Sequence, residues 1–300
     1  TASIATTESI AELKTLTDTS NAYTIVISSS DATATAGDLL AIDGKTTVRI
    51  DASEVTAISG SFNQITALYG YNVDADSYGF TGLGNENITS TEDLTVAAAN
   101  VFDNLTKGTV TAEIDPTETV DSLVNLTGTN AYTIKIASGD ATGSTAAELN
   151  TINTATTVAI DASSVTALAE STLSDVNTLA LSINAGQFSN GGNLTTVAIS
   201  DATIDATALA TAIDNLDGIN GGSSTDMTLA SEATINVDAG EVTHMLLDET
   251  ENRLDIVDQN IVVTGNISVD DANLLSETTT GTVTASIATT ESIAELKTLT

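Results

Sequence analysis

The sequence predicts a repeat solenoid: a stack of parallel β-strands with one short helix per rung of about 23 residues, of the β-solenoid or leucine-rich-repeat-like βα kind. Three observations predict it. One phrase returns verbatim at the two ends of the chain, a diverged duplication lies inside, and a strand-then-helix pattern recurs throughout.

Thr1–Thr17 returns letter for letter as Thr284–Thr300. Chance does not produce such a match, so the chain reads as a window on a longer tandem-repeat protein. Within it, Ile4, Thr7, Glu8, Ile10, Leu13 and Leu16 are matched by Ile114, Thr117, Glu118, Val120, Leu123 and Leu126 at an offset of 110. The phrase Asn21–Ile25 recurs at Asn130–Ile134, and Thr46-Thr47-Val48 with Ile50-Asp51-Ala52-Ser53 recurs as Thr156-Thr157-Val158 with Ile160-Asp161-Ala162-Ser163. Both copies close alike, since Leu94–Ile114 resembles Ile267–Ile287 at an offset of 173. Residues 1–110 therefore form copy A, residues 111–283 a longer copy B with about 63 extra residues near 201–262, and residues 284–300 the start of a further module.

The smallest unit reads as an alternating Val/Ile run, an Asp-Ala-Ser turn, then Leu or Ile at spacings of three or four. Strand centres are expected near Ile4, Ile27, Ile50, Val73, Ile114, Ile136, Ile160 and Ile183. The clearest helix runs from Asp205 through Leu209, Ile213 and Leu216 to Gly218, with Asp205 as the N-cap. One such unit cannot bury its apolar face alone, so neighbours must stack, giving a rod on the order of 60 Å at about 4.8 Å per rung. A string of β-sandwich domains is the alternative, suggested by short strands and by Gly-rich turns such as Asn190-Gly191-Gly192.

Composition narrows the function. With 41 acidic against 7 basic residues and a net charge of -34, the chain has no counterpart for nucleic acid or an anionic membrane surface. Cations and copies of itself are the expected partners. Hydrophobic residues still make up 41% and mean hydropathy is +0.15, which argues for a folded chain. Aromatic residues are only 3%, so the core is Ala, Val, Ile and Leu in thin layers. Cysteine is absent, which excludes disulfides and thiolate chemistry. A Thr/Ser/Asp/Asn-rich surface suits an extracellular protein, and no membrane-inserting run is present.

Chemistry-bearing residues are sparse. The one histidine, His244, adjoins an apolar run and reads as a packing or surface residue. Carboxylate pairs such as Asp74/Asp76, Asp201/Asp205, Glu249/Glu251 and Asp270/Asp271 follow from composition, and no aromatic platform accompanies them, so no enzyme is expected. An Asp at or just after the strand recurs as Asp51, Asp74, Asp161, Asp201 and Asp238. Stacked, these could form a ladder holding Ca²⁺; alternatively each caps a helix or closes an Asx turn without metal. Sequons at Asn87, Asn104, Asn125, Asn193 and Asn266 are compositional, and Thr46-Thr47 and Thr156-Thr157 read as solvated strand positions rather than an ice-binding array.

The phrases GTVTASI, NAYTI, TTVAIDASSVTAL and AAELNTIN resemble the repetitive regions of very large cyanobacterial surface or secreted β-strand repeat proteins. That resemblance implies an extracellular or cell-surface role as sheath, filament shaft, S-layer-like coat or adhesin, with no inherited catalytic residues. The alternative function is a calcium-binding scaffold module of a large secreted protein whose effector domain lies elsewhere.

Overall fold

The computed structural model describes residues 2–17, 19–70, 79–189, 194–217 and 225–300. The chain is α/β, with strands in several parallel sheets and no closed barrel. Its contacts divide into two compact units, Thr1–Lys135 with Thr154–Val158, and Ile136–Asn153 with Ala159–Thr300.

In the first unit the order is β1 (Ala2–Ser3), α1 (Ile10–Leu13), β2 (Tyr23–Thr24), β3 (Thr33–Thr35), α2 (Ala36–Asp43), β4 (Ile50–Asp51), β5 (Ala57–Gly60) and α3 (Phe62–Gly70). It continues through β6 (Phe80–Thr81), β7 (Asn87–Ser90), α4 (Val96–Leu105), β8 (Val110–Glu113), α5 (Val120–Leu123) and β9 (Ala131–Thr133). The sheets are β3-β5-β7-β8-β9, β1-β2 and β4-β6.

The second unit holds most of α6 (Ala146–Thr154), then β10 (Ile160–Asp161), β11 (Ala167–Ser171), α7 (Leu173–Asn184), β12 (Phe188–Ser189), β13 (Thr196–Ile199), β14 (Thr203–Asp205) and α8 (Ala206–Asp217). After these come β15 (Asp226–Leu229), β16 (Thr234–Asp238), α9 (Val242–Thr250), β17 (Leu254–Asp255), β18 (Asn260–Ile267), α10 (Val269–Thr278), β19 (Val283–Ile287) and α11 (Ile293–Leu296). Its sheets are β11-β13-β15-β17, β14-β16-β18-β19 and β10-β12.

Every strand pair among the described residues is parallel. Parallel neighbours cannot be joined by a hairpin, and the chain spends a turn and a helix on returning to the start of the next strand. Antiparallel sandwiches are therefore not what these strands build. Thr111 pairs with Ala131, whereas Thr203 pairs with the more distant Thr234, so the rungs differ in length and the uniform step expected from the sequence is not kept.

The longer rungs differ from the expected one-strand unit in a specific way. The Asp51-Ala52-Ser53 turn leads to a second strand, β5, before α3 begins, and Asp161-Ala162-Ser163 leads in the same way to β11 before α7. Each turn is closed by an Asx hydrogen bond, from the Ser53 amide to Asp51 Oδ1 at 3.0 Å and from the Ser163 amide to Asp161 Oδ1 at 3.0 Å. A further bond from the Val55 amide to the Ala52 carbonyl, 3.0 Å, turns the chain onto a new sheet.

Ile183 is likewise not a strand centre but lies in α7. There Thr172 caps the helix by accepting from the Asp175 amide at 3.1 Å, and Leu173, Val176, Leu179 and Ala180 fall buried on one face. Ile136 lies past the end of β9, and Val73 is outside the described residues, as are Asn190-Gly191-Gly192 and Gly218. The Asp205 cap expectation is met: its Oδ1 accepts from the Ala208 amide at 3.0 Å. The extra residues of copy B fold with the same grammar, as β14–α8–β15 and β16–α9–β17. The core is thin and aliphatic, with Ile25, Ile50, Ile88, Leu39 and Leu68 fully buried and Phe80, Phe102 and Tyr132 its only large aromatic members of that kind among the described residues.

Candidate functional site

The chemistry of this molecule lies between successive rungs. A helix begins with amides that have no intrahelical partner and a partial positive charge. In four rungs the first of these amides is taken by a carboxylate from the following rung. Ile10 donates to Asp31 Oδ2 at 3.0 Å, Phe62 to Glu92 Oε1 at 2.8 Å, Val96 to Glu118 Oε1 at 3.0 Å and Leu173 to Asp201 Oδ2 at 2.7 Å. Part of the acidic excess is thus used to join one rung to the next.

A second device uses threonine. Thr46, Thr106, Thr156 and Thr279 are buried, and each hydroxyl donates to a carbonyl of the preceding rung: Tyr23 at 2.7 Å, Glu86 at 2.6 Å, Tyr132 at 2.6 Å and Gln259 at 2.7 Å. The same oxygens accept the amide two residues on, from Val48, Gly108, Val158 and Gly281 at 2.9–3.2 Å. The expectation of solvated strand positions is corrected for Thr46 and Thr156, because backbone groups that would otherwise be buried unpaired need these hydroxyls. The signal is present in the sequence as Thr-x-Val or Thr-x-Gly recurring at the repeat offsets.

A third device is asparagine. Asn100 donates from Nδ2 to the Asn125 carbonyl at 2.8 Å and accepts the Thr127 amide on Oδ1 at 2.9 Å. Asn273, its counterpart in the closing phrase of copy B, does the same with the Thr298 carbonyl at 3.0 Å and the Thr300 amide at 3.1 Å. Buried Asn130 accepts the Val110 amide at 2.9 Å and donates to Asp103 Oδ1 at 2.8 Å and Tyr132 Oη at 3.1 Å.

The five aspartates expected to form a metal ladder are placed as follows. Asp51 and Asp161 close Asx turns, Asp201 caps α7, and Asp238 ends β16 with its carbonyl accepting the Glu241 amide at 2.8 Å. Asp74 lies outside the described residues, as does Asp76. Among the described residues no three His, Asp or Glu side chains converge to hold a metal ion. Asp201 and Asp205 cap two different helices, α7 and α8. His244 stands on α9, 41% exposed, with Nδ1 4.0 Å from Asp248, which is 2% exposed and paired with Arg253 at 2.6 Å.

The repeated phrase offers the most informative comparison. In its first copy Ile10 and Leu13 are 8% and 3% exposed, against α2. In its second copy the same side chains, Ile293 and Leu296, are 75% and 41% exposed, with Leu299 at 44%. The identical Ser-x-x-Glu capping box forms in both. Local sequence therefore makes the helix, and the neighbouring rung decides whether its apolar face is covered.

Protein-family models, curated proteins and solved structures return no match to this chain. No helix among the described residues is long and apolar enough to cross a membrane.

Two expected outcomes follow from the charges. Raising NaCl from about 0.05 M to 0.5 M should raise the melting temperature, because a net charge of -34 repels itself and salt shortens the screening length. Ca²⁺ at matched ionic strength should add nothing to that rise; an added, saturable increase would mean carboxylates that coordinate the ion. Buried Asp43 accepts the Gly79 amide at 2.9 Å, yet burial holds its carboxyl above the usual range. A carboxyl raised on folding binds its proton more readily in the folded state, so it weakens folding at neutral pH and ceases to do so below its unfolded value. Asp43→Asn should therefore melt higher than wild type at pH 7 and lose that advantage near pH 3, read by thermal denaturation across pH.

Proposed function

We propose that this chain is a structural segment of an extracellular tandem-repeat protein, its rungs stacked as a βα solenoid that forms the shaft of a cell-surface filament, sheath, S-layer-like coat or adhesin. The observation that carries the reading is the verbatim return of Thr1–Thr17 as Thr284–Thr300, the first copy pairing in parallel with β2 and the second with β18. The all-parallel pairing and the recurrent Thr, Asn and carboxylate bridges support it, since each joins a rung only to its neighbour. On this reading the role is mechanical, not catalytic, the partners are copies of itself and the cell surface or matrix, and the net charge of -34 disfavours nucleic acid. The resemblance to cyanobacterial surface repeat proteins belongs to the same proposal.

The test is a chain extended by one further module, overlapping on Thr284–Thr300. Small-angle scattering should show the maximum dimension growing by about 50 Å per added module, at ~4.8 Å per rung and with rungs longer than the expected step. Growth below about half of that, as for modules collapsing into one globule, would overturn the stacked reading.

A further inference from the structure

After Ile4, Ile114 and Ile287 the chain reads Ala5-Thr6, Asp115-Pro116 and Ala288-Thr289, and Pro116 is the one proline of the sequence. The backbone turn is the same at all three places: the amides of Glu8, Glu118 and Glu291 donate to the carbonyls of Ala5, Asp115 and Ala288 at 3.1, 2.9 and 3.2 Å. Aspartate followed by proline suits such a turn, yet the turn closes twice without either, so its shape does not require the pair. What the pair adds is chemistry. An aspartate carboxyl is close enough to its own backbone carbonyl carbon to close a cyclic anhydride on it, and the proline nitrogen, a tertiary amide, leaves more readily than an ordinary one. Here the parts are held in place. The Asp115 amide is fixed to the Leu94 carbonyl at 2.9 Å, and the Asp115 carbonyl oxygen, bonded to the Glu118 amide, is polarised as by a donor of an oxyanion hole. Asp115 Oδ1 accepts the Thr117 amide at 2.9 Å and the Thr117 hydroxyl at 2.7 Å. The Thr117 hydroxyl, then its amide, hold the carboxyl below the usual range.

We infer that Asp115–Pro116 is a self-cleavage site, a bond that the chain breaks with its own carboxyl, and that Thr117 holds it closed. A carboxyl oxygen of Asp115 attacks the Asp115 carbonyl carbon. A C–O bond forms, the C–N bond to Pro116 breaks, and the carboxyl proton leaves on the Pro116 nitrogen, now a secondary amine. Water then opens the cyclic anhydride, giving one fragment that ends at Asp115 with both carboxyls free and another that starts at Pro116. Only water is consumed. The step needs the carboxyl proton, and Thr117, by favouring the ionised carboxylate, keeps the protonated form scarce. Cleavage is therefore slow at neutral pH and quickens as the pH falls toward the carboxyl range. The cut leaves the two fragments joined, because Thr111, Ala112 and Glu113 of β8 stay paired with Ala131, Tyr132 and Thr133 of β9, and the Val96 amide stays on Glu118. None of this depends on how further modules stack.

The full chain, held for several days at about pH 5, just above the ordinary carboxyl range, should yield the fragments ending at Asp115 and starting at Pro116, read by mass spectrometry after denaturation. Thr117→Val removes the hydroxyl donor and should cleave about twofold or more faster than wild type. In urea, where the turn is lost, the two should cleave at the same rate. Asp115→Ala and Pro116→Thr each install the residue that the other copies carry in the same turn, so both should fold, and neither should be cut there. Before denaturation the cut chain should elute with the uncut one from a sizing column. Equal rates for folded wild type and Thr117→Val would overturn the inference, as would an uncut Thr117→Val chain. Cutting that persists in Asp115→Ala would do so too, since the attacking carboxyl is then gone. Separate elution of the fragments would overturn the retained joint.

Discussion

Gly281→Ala is expected to lower stability by about 3 kcal/mol or more, and Gly108→Ala by a similar amount. Neither glycine needs an unusual backbone angle; what each needs is space. A Cβ at Gly281 would lie 2.1 Å from the Gln259 carbonyl oxygen, and one at Gly108 would lie 2.4 Å from the Glu86 carbonyl oxygen. These contacts are with backbone, which cannot swing aside as a flexible side chain can. Relief requires moving two rungs apart, and that movement stretches the Thr279 bond to Gln259 and the bond from the Thr282 amide to Asn260, 2.7 and 2.9 Å, or their counterparts at Thr106 and Thr109. Gly240→Ala is the matched control, with nothing within 4 Å of the added carbon, and should change stability by less than about 0.5 kcal/mol. Urea denaturation followed by circular dichroism, with hydrogen exchange at the altered rung, distinguishes the cases. Equal effects at Gly108 and Gly240 would mean that the close approach of the rungs is not a structural constraint.

Asn130→Ala should cost about 3 kcal/mol, because it leaves more than one buried polar group without its partner. The side chain is 2% exposed and serves the Val110 amide, Asp103 and Tyr132 together. Its counterpart in the other copy, Asn21, is half-buried and bonds through Nδ2 to Tyr23 Oη at 2.8 Å. Asn21→Ala should therefore cost about 1 kcal/mol. The same letter at the same place in the repeat is thus expected to differ about threefold in energetic weight. A measured cost at Asn130 no larger than at Asn21 would show that the Val110 amide finds water instead.

Several features are legible in the sequence. The duplications, Asp205 as a helix start, and the aliphatic core all follow from residue order, because repetition, capping and hydrophobic spacing act over a few residues. The Asp-Ala-Ser phrase reads correctly as a turn, but a strand follows it, not a helix. An Asx turn fixes only the bend, and the element beyond it is chosen by which sheet lies within reach. Ile183 misleads because Leu179, Leu181 and Ile183 alternate as a strand would, while Thr172 and the burial of Leu173, Val176 and Ala180 favour a helix.

By itself the sequence determined that the unit is repeated, that strands and helices recur along the chain, and that a helix starts at Asp205. Only the tertiary structure decided that Thr46 and Thr156 are buried staples and that Gly108 and Gly281 must lack a side chain. The physical reason is the same in each case. Helix starts and turns are satisfied by neighbours along the chain, whereas burial, steric exclusion and the pairing of strand edges depend on strands and helices distant in sequence.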